Sequence, residues 1–312
     1  MIRSAALPLV SRLCLLALGM TSLHATAVEG GAQITPFGVF DFGAGMLPPP
    51  SALPLVGVRT THFHADRLYD NGGHRAATAI DLTVDSYGVA LVQMTGATLF
   101  GGRYGWGMVM PWLEMKARLD VPTPAGPLAL TGRHSAQGDM QLIPALVGWT
   151  PSPSLFVNAA LVLQAPTGSY DRNRLVNAGT NHWTFSPTVA FSYLGATGIE
   201  VSSNIALNIH RRNSATDYTS GADYQHEFAI GQHIGAWTVG VGGYFAQQVE
   251  DDKQGGRRVD NNRSRVLAAG PAVHFFQPGS GWPLVTLHAN KEFGVRNRAG
   301  GTQLALRAAW SL

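Results

Sequence analysis

The chain has 312 residues with 22 basic and 19 acidic side chains, and charged residues make up only 13% of it, against about 25% in an average soluble domain. So few charges cannot cover a large water-facing surface. No basic run supports nucleic-acid binding, although the sequence pI is near 9.2. The composition, which also includes 37 glycines, favours a protein whose apolar faces contact lipid.

Residues 1–27, MIRSAALPLVSRLCLLALGMTSLHATA, follow the order of a secretory signal peptide: early arginines, the apolar core LCLLALGM and a small-residue end. We expect cleavage after Ala27, with Ala25 as the alternative. The apolar run is too short to span a bilayer. Cleavage removes Cys14, the single cysteine, and a mature chain without cysteine excludes disulfides, thiol catalysis and cysteine metal sites.

Residues 28–56 are rich in glycine and proline and carry only two charges, Glu29 and Asp41. They are too apolar for a free tail and too rich in proline for a membrane strand. We expect an irregular segment that lies inside the following domain as a candidate lumen plug, because irregular backbone is tolerated where protein surrounds it. The plug candidates are Phe37, Phe40, Phe42, Met46 and Leu47.

Residues 57–312 alternate between apolar and polar side chains. In GIEVSSNIALNIH, residues 198–210, one parity is mainly apolar and the other is polar. This period of two recurs in segments of about ten residues, which is typical of a transmembrane β-barrel. The last segment, GTQLALRAAWSL, has the same pattern, and we expect it to pair with the first strand and close the barrel. The predicted fold is therefore an all-β, antiparallel transmembrane barrel over residues 57–312.

Short and long connections alternate along this domain, as in outer-membrane barrels with short periplasmic turns and long outer loops. Predicted short turns lie at residues 86–88, 150–154, 195–198, 234–236 and 277–282, and predicted long loops at 165–182, 211–220, 250–263 and 294–301. This spacing predicts about fourteen strands, with about twelve as the alternative.

The sequence holds no nucleophile elbow and no phosphate loop, and Ile230 stands where the second histidine of a zinc-protease helix would follow His226 and Glu227. His62, His64 and His74 lack the carboxylate or cysteine set of a metal site, so we expect no metal. Side chains on the polar face of each predicted strand are expected to line the lumen. The candidates are Asp81, Asp85, Glu114, Lys116, Arg118, Glu200, His210 and Arg307. Their mixed charges argue against a strongly ion-selective pore, and each of them could instead form a structural salt bridge in the lumen.

Several stretches together resemble a known family: PFGVFDFGAGMLPPP, LFGGRYGWGMVMPW, APTGSYD followed by NAGTNHWTFSP, and GGYFAQQ followed later by AAGP. Through these stretches the chain resembles the MetA-pathway of phenol degradation family of outer-membrane transporters over nearly all of its mature length. The resemblance implies an outer-membrane channel, often placed near genes for the catabolism of aromatic or lipid-like compounds. It implies no catalytic residues.

Together with the barrel pattern, the resemblance implies a channel for uptake of small hydrophobic or aromatic compounds across the outer membrane of a Gram-negative bacterium. The expected partners are these solutes, outer-membrane lipids and the outer-membrane assembly machinery, whereas no nucleic acid, cofactor or enzymatic activity is expected. Two alternatives stay open. One is an outer-membrane barrel enzyme acting on lipids, which needs a Ser–His pair facing lipid, although His274 and His288 lie on predicted strands with no serine obviously beside them. The other is a structural barrel without transport.

Overall fold

The computed structural model describes residue 37 and residues 42–311, so the signal peptide expected at residues 1–27 lies outside the described part. The regular elements of that part are sixteen β-strands: β1 Leu55–Tyr69, β2 Ala79–Leu99, β3 Gly102–Val121, β4 Leu128–Gln137, β5 Gln141–Ser152, β6 Leu155–Gln164, β7 Thr184–Leu194, β8 Ile199–His210, β9 Tyr218–Thr219, β10 Asp223–Ile234, β11 Trp237–Gln248, β12 Lys253–Gln254, β13 Arg257–Arg258, β14 Arg265–Phe275, β15 Leu284–Arg296 and β16 Arg298–Ser311. Among the described residues no helix has the length and apolar character needed to cross a membrane.

The barrel is a closed ring of twelve antiparallel strands, in the order β1, β2, β3, β5, β6, β7, β8, β10, β11, β14, β15 and β16. The last strand pairs with the first from Leu55↔Ser311 to Tyr69↔Arg298. Closure leaves no unpaired strand edge in the membrane, where unsatisfied backbone groups are costly. The predicted all-β transmembrane barrel, and its closure by the last strand, are confirmed.

The ring has twelve strands instead of the fourteen predicted. Two of them, β2 and β3, are 21 and 20 residues long, about twice the length of the segments on which the prediction was based. The turn predicted at residues 86–88 is wrong, since these residues lie inside β2. The chain reverses instead at Phe100 and Gly101, both of which have positive φ. Gly88 is therefore not part of a turn, and it lies against the Arg59 side chain of β1, whose Nε would be 2.8 Å from an added Cβ.

An additional strand, β4, stands beside the ring. It pairs with the second half of β3, whereas β5 pairs with the first half, so β4 and β5 follow one edge of β3 and are separated by residues 138–140. The carboxylate of Asp139 lies in this break and accepts hydrogen bonds from the backbone N of Gly168 at 2.8 Å and of Thr180 at 2.7 Å. These bonds tie the loop between β6 and β7 to the barrel wall.

Outward side chains of the barrel wall are mainly apolar and inward ones are mainly polar. Val189, Ile230 and Val241 point outward and are 51%, 54% and 50% exposed, as expected for side chains that contact lipid. By contrast, Ser202 and Glu227 point inward and are fully buried. The alternation seen in the sequence thus separates a lipid-facing surface from the lumen.

Short turns and long loops lie at opposite ends of the barrel. Residues 153–154, 195–198 and 235–236 form short turns at one end, and residues 165–183, 211–222 and 249–264 form long loops at the other, with a small sheet of β13, β12 and β9 inside them. The loop predicted at 294–301 is wrong, because β15 and β16 are separated there by Asn297 alone. We call the end with the long loops the outer end.

Candidate functional site

The lumen wall has a polar side and an apolar side. The polar side consists of buried inward side chains on β7 to β16, among them Ser186, Ser192, Ser202, Asn204, Asn208, Gln225, Glu227, Thr238, Thr286 and Asn290. The apolar side lies on β1 to β3 towards the outer end, where Phe63 pairs with Val84 and Val84 with Met115. A solute inside the barrel therefore has polar and apolar wall within reach at the same time.

Three of the predicted lumen residues, Glu200, His210 and Arg307, belong to the inward parity of their strands. Glu200 is 2% exposed; it accepts a 2.6 Å hydrogen bond from Ser202 Oγ and contacts His233 Nε2 at 2.8 Å. His210 Nε2 lies 2.8 Å from Asp223 Oδ2. Glu200 and His210 stand near opposite ends of β8, so the three residues do not converge on one point. Whether any of them contacts a passing solute stays a prediction.

The other five predicted lumen residues, Asp81, Asp85, Glu114, Lys116 and Arg118, lie on the outer face of the wall, and for them the prediction is wrong. Asp81 pairs with Arg118, and Asp85 pairs with Glu114. These residues lie on the same face of β2 and β3 as Val89 and Met110, which are 48% and 49% exposed on the outside of the barrel. Asp85 contacts His62 at 2.6 Å, and His62 belongs to the same face.

The error has a physical reason, which is the length of β2 and β3. A membrane strand needs only about 9–11 residues, so the outer halves of these strands extend beyond the bilayer. There the outward face meets water and carries charge, while Ile80, Leu82 and Val84 point inward. Along β2, the apolar side chains therefore point inward before Gly88 and outward after it. For this reason the polar face predicted from the sequence does not correspond to the lumen here.

The N-terminal segment lies inside the barrel at the described positions. The Phe37 ring, 3% exposed, stacks on Tyr244 with centroids 4.6 Å apart and lies 5.6 Å from the Arg298 guanidinium. Phe42 is fully buried with Ala229 and Ala272. Phe40, also predicted as a plug residue, lies outside the described residues.

Residues 43–51 follow the inner wall from strand to strand. Gly43 N donates to Glu200 Oε1 on β8 at 2.6 Å, and Gly45 N donates to Ser192 Oγ on β7 at 2.9 Å. Asn158 on β6 donates to the Ala44 carbonyl at 2.9 Å. Leu47 lies against Gly148 on β5, and Met46 stands directly before it. These bonds replace the regular pairing that this segment lacks.

Side chains from two walls of the barrel meet at the start of this segment. Arg307 Nη2 on β16 donates to the Phe42 carbonyl at 3.3 Å, while the next residue, Gly43, bonds to β8. In the ring counted from β1, β8 is seventh and β16 is twelfth, five positions apart, and six positions would be diametrically opposite. The peptide group between Phe42 and Gly43 is therefore bonded to side chains from nearly opposite walls.

The outer loops are held by a second buried carboxylate, that of Asp252, which is 1% exposed. It accepts hydrogen bonds from Tyr218 Oη and from Gly221 N, the latter at 2.7 Å. Burial raises the pKa of Asp252, and these hydrogen bonds act in the opposite direction. The cluster joins two of the long loops above the lumen.

The enzyme alternative requires a Ser–His pair on the lipid side, and one such pair exists. Ser203 Oγ lies 2.7 Å from His226 Nε2, and Ser203 pairs with the outward-facing Phe191. Ser203 is only 4% exposed and lies among aromatic side chains near mid-strand, so the side chains around it shield its hydroxyl. His274 and His288 face the lumen instead, where His274 Nδ1 lies 3.0 Å from Thr286 Oγ1.

Two important residues could not be identified from the sequence: Arg59, which faces the lumen, and Asp139, which ties an outer loop to the barrel wall. Arg59 pairs with Arg307 across β1 and β16 on the inward face. The signal in the sequence was an arginine inside the apolar strand start LVGVR, but its face follows only from the register. Asp139 carried no signal, because its partners come from a loop about 30–40 residues further along the chain, a distance over which periodicity gives no information.

Solved structures with a similar fold include an outer membrane channel from Pseudomonas putida F1, with a TM-score of 0.70 at 17% identity over 89% of this chain and 99% of that chain. The transport unit of the autotransporter AIDA-I from Escherichia coli has a TM-score of 0.51 at 7% identity over 92% and 97%. These likenesses are of fold alone. The comparison with curated proteins gave no match. The model of the family described as "Putative MetA-pathway of phenol degradation" matches residues 65–308, and the chain belongs to this family.

Proposed function

We propose that the protein is an outer-membrane channel for uptake of small hydrophobic or aromatic compounds, exported by the signal peptide of residues 1–27. The observation that carries the proposal is a peptide segment buried inside a closed strand ring, where Phe42 is fully buried and the adjoining peptide group is bonded to Arg307 and Glu200 on nearly opposite walls. An open pore for polar solutes would need a continuous water path. A partly apolar lumen that holds such a segment instead favours solutes whose transfer out of water costs little hydration free energy.

Residues 37–54 act in this proposal as a plug that excludes water and ions and moves aside for a solute. Its hydrogen bonds to Glu200, Ser192, Asn158 and Arg307 connect inward side chains to the backbone of the segment. Each such bond contributes about 0.5–3 kcal/mol. A set of this strength holds the segment in place while leaving its displacement energetically accessible.

Outer-membrane lipids are the proposed partners of the outer face. On β1 to β3 this face carries a cavity of about 520 Å³ with mainly apolar lining, including Val58, Tyr87, Met110 and Leu306. Its size and lining suit part of an acyl chain. Insertion by the outer-membrane assembly machinery follows from the barrel fold and is part of the same proposal.

Deletion of residues 31–54 tests the plug and the channel together. We expect a barrel that still inserts, conducts ions more freely in planar bilayers, and loses preference for an apolar solute over a polar solute of equal size. A milder pair of variants removes one ring each: Phe42→Ala should raise conductance, whereas Phe276→Ala, exposed outside the lumen, should not. Unchanged conductance in the deletion variant would show that the segment does not limit the pore.

A further inference from the structure

Within the part of the chain that the structure describes, the inner faces of β15, β16 and β1 carry buried polar atoms without hydrogen-bond partners. They are Nε and Nη2 of Arg59, both side-chain amide atoms of Asn290, and Oε1 of Gln303. Buried polar groups in proteins are nearly always hydrogen-bonded, and a guanidinium shielded from water has a strong requirement for an anion. These atoms therefore point to a polar ligand in this part of the lumen.

The register places these side chains close together on the wall. Arg59 pairs with Arg307, and two residues further along β1 and β16 towards the outer end, Thr61 pairs with Ala305. Two residues beyond that, Phe63 pairs with Gln303, which pairs in turn with Asn290 on β15. The small side chain of Ala305 separates the Arg59 level from the Asn290 level.

Arg59 has no carboxylate partner within the described part of the chain. Its side chain lies over Gly88 on β2, and no ion pair within 4.0 Å joins it to a described acid. Glu227, on the facing wall, acts on it electrostatically at longer range. The guanidinium is thus oriented along the wall instead of being neutralised by a neighbouring side chain.

An apolar surface begins at the level next to Arg59 towards the outer end, where Leu113 stands beside the buried Thr61 and Ser86. Phe63, Val84 and Met115 form one cross-strand row on the inner face, and Leu113 stands one level nearer to Arg59. All four are partly accessible rather than buried. A cation beside an accessible apolar surface matches a molecule with one anionic end and one apolar body.

We propose that Arg59 binds the carboxylate of an amphipathic organic acid, a single carboxylate joined to an aromatic ring or short alkyl body, inside the lumen. The planar guanidinium binds a carboxylate through two parallel hydrogen bonds, and the apolar body lies on Phe63, Val84, Leu113 and Met115. This site rests on the proposed channel function and narrows its solutes to those that carry a carboxylate.

The test compares 3-phenylpropanoate with its neutral amide, 3-phenylpropanamide, by calorimetric titration of the full-length protein in detergent micelles. We expect the acid to bind about tenfold more tightly than the amide, because a charge-assisted hydrogen-bonded pair contributes roughly this factor to the affinity. Arg59→Gln should abolish this difference. The matched control, Arg133→Gln on the exposed outer face, should preserve it.

Equal binding of acid and amide to the unaltered protein would overturn the proposal without any variant. A preference that survives in folded Arg59→Gln protein would overturn it as well. Uptake of the amide into proteoliposomes distinguishes failure of this site from failure of the channel. If the amide enters and no preference for the carboxylate is found, the channel function is retained and the Arg59 site is refuted. Exclusion of both compounds would refute the proposed function, and with it the role of this site in uptake.

Discussion

Ile205 and Asn204 are neighbours on β8, yet Ile205 points towards lipid and Asn204, which is 7% exposed, points into the lumen. The whole of β8 lies at the depth of the membrane, so the alternation in IEVSSNIALNIH corresponds to these two faces along its full length. On β2 the same rule fails for Asp81 and Asp85, because the surroundings of the outer face change from lipid to water along one strand. Periodicity identifies two faces, but only the strand's position relative to the bilayer says which face is which.

A matched pair of valines tests the lipid-facing assignment. Val241 lies near the middle of β11 on the outer face, and Val249 lies just beyond the outer end of the same strand; they are 50% and 42% exposed. Val241→Arg should lower the free energy of unfolding by about 2–4 kcal/mol, since it places a charge in the bilayer. Val249→Arg, in water, should change it by about 0.5 kcal/mol or less. Urea unfolding in lipid vesicles measures both, and equal losses would contradict the assignment.

A glycine in the plug tests how closely that segment approaches the wall. A Cβ at Gly45 would lie 2.3 Å from Ser192 N and 2.4 Å from the Phe156 carbonyl oxygen, so Gly45→Ala must displace the segment. We expect a higher single-channel conductance with an unchanged barrel. Gly96→Ala is the control, because nothing lies within 4 Å of its added Cβ. The same conductance in both variants would mean that the approach at Gly45 does not matter for the pore.

At the scale of elements, the sequence predicted the strands of the second half of the barrel better than those of the first. Proline and glycine turns separate β5 to β11 clearly, whereas β2 and β3 run on through residues that look like turn formers. The prediction of a loop at 294–301 was wrong for the same reason, because its glycines lie inside strands. A Cβ at Gly301 would lie 1.9 Å from the His64 carbonyl oxygen. Glycine is required there by close packing of β16 on β1, which a single sequence cannot distinguish from a turn.

Asp139 allows a test of the break between β4 and β5. Asp139→Asn removes the negative charge that accepts hydrogen bonds from the backbone N of Gly168 and Thr180. Each of these charge-assisted hydrogen bonds contributes about 1.5–3 kcal/mol. The loop of residues 165–183 should therefore open more often, and limited proteolysis within it should be about tenfold faster or more. Asp120→Asn serves as control, since its partner Arg118 is exposed and surface pairs contribute about 0–1 kcal/mol. Equal cleavage rates in the two variants would exclude Asp139 as the residue that holds the loop.

For the whole molecule, composition and periodicity were sufficient to predict a transmembrane barrel closed by its last strand. The content of the lumen was only partly predictable. The apolar, proline-rich character of residues 28–56 indicated a buried segment, but the contact between Phe42 and Arg307 joins residues 265 positions apart. No local pattern encodes such a pair. It follows from the register of twelve strands together with the path of the segment inside them.

The central claim is that the N-terminal segment closes the lumen and must move for a solute to pass. A disulfide between Ala44→Cys and Asn158→Cys tests it, because the hydrogen bond from Asn158 Nδ2 to the Ala44 carbonyl places the segment against β6 at this point and the mature chain is expected to hold no other cysteine. The measurement is proteoliposome uptake of a neutral aromatic solute before and after reduction, with the Ala44→Cys single variant as control. The account predicts little uptake in the oxidised protein and full recovery on reduction. Equal uptake in both states, with the disulfide shown to have formed, would contradict it.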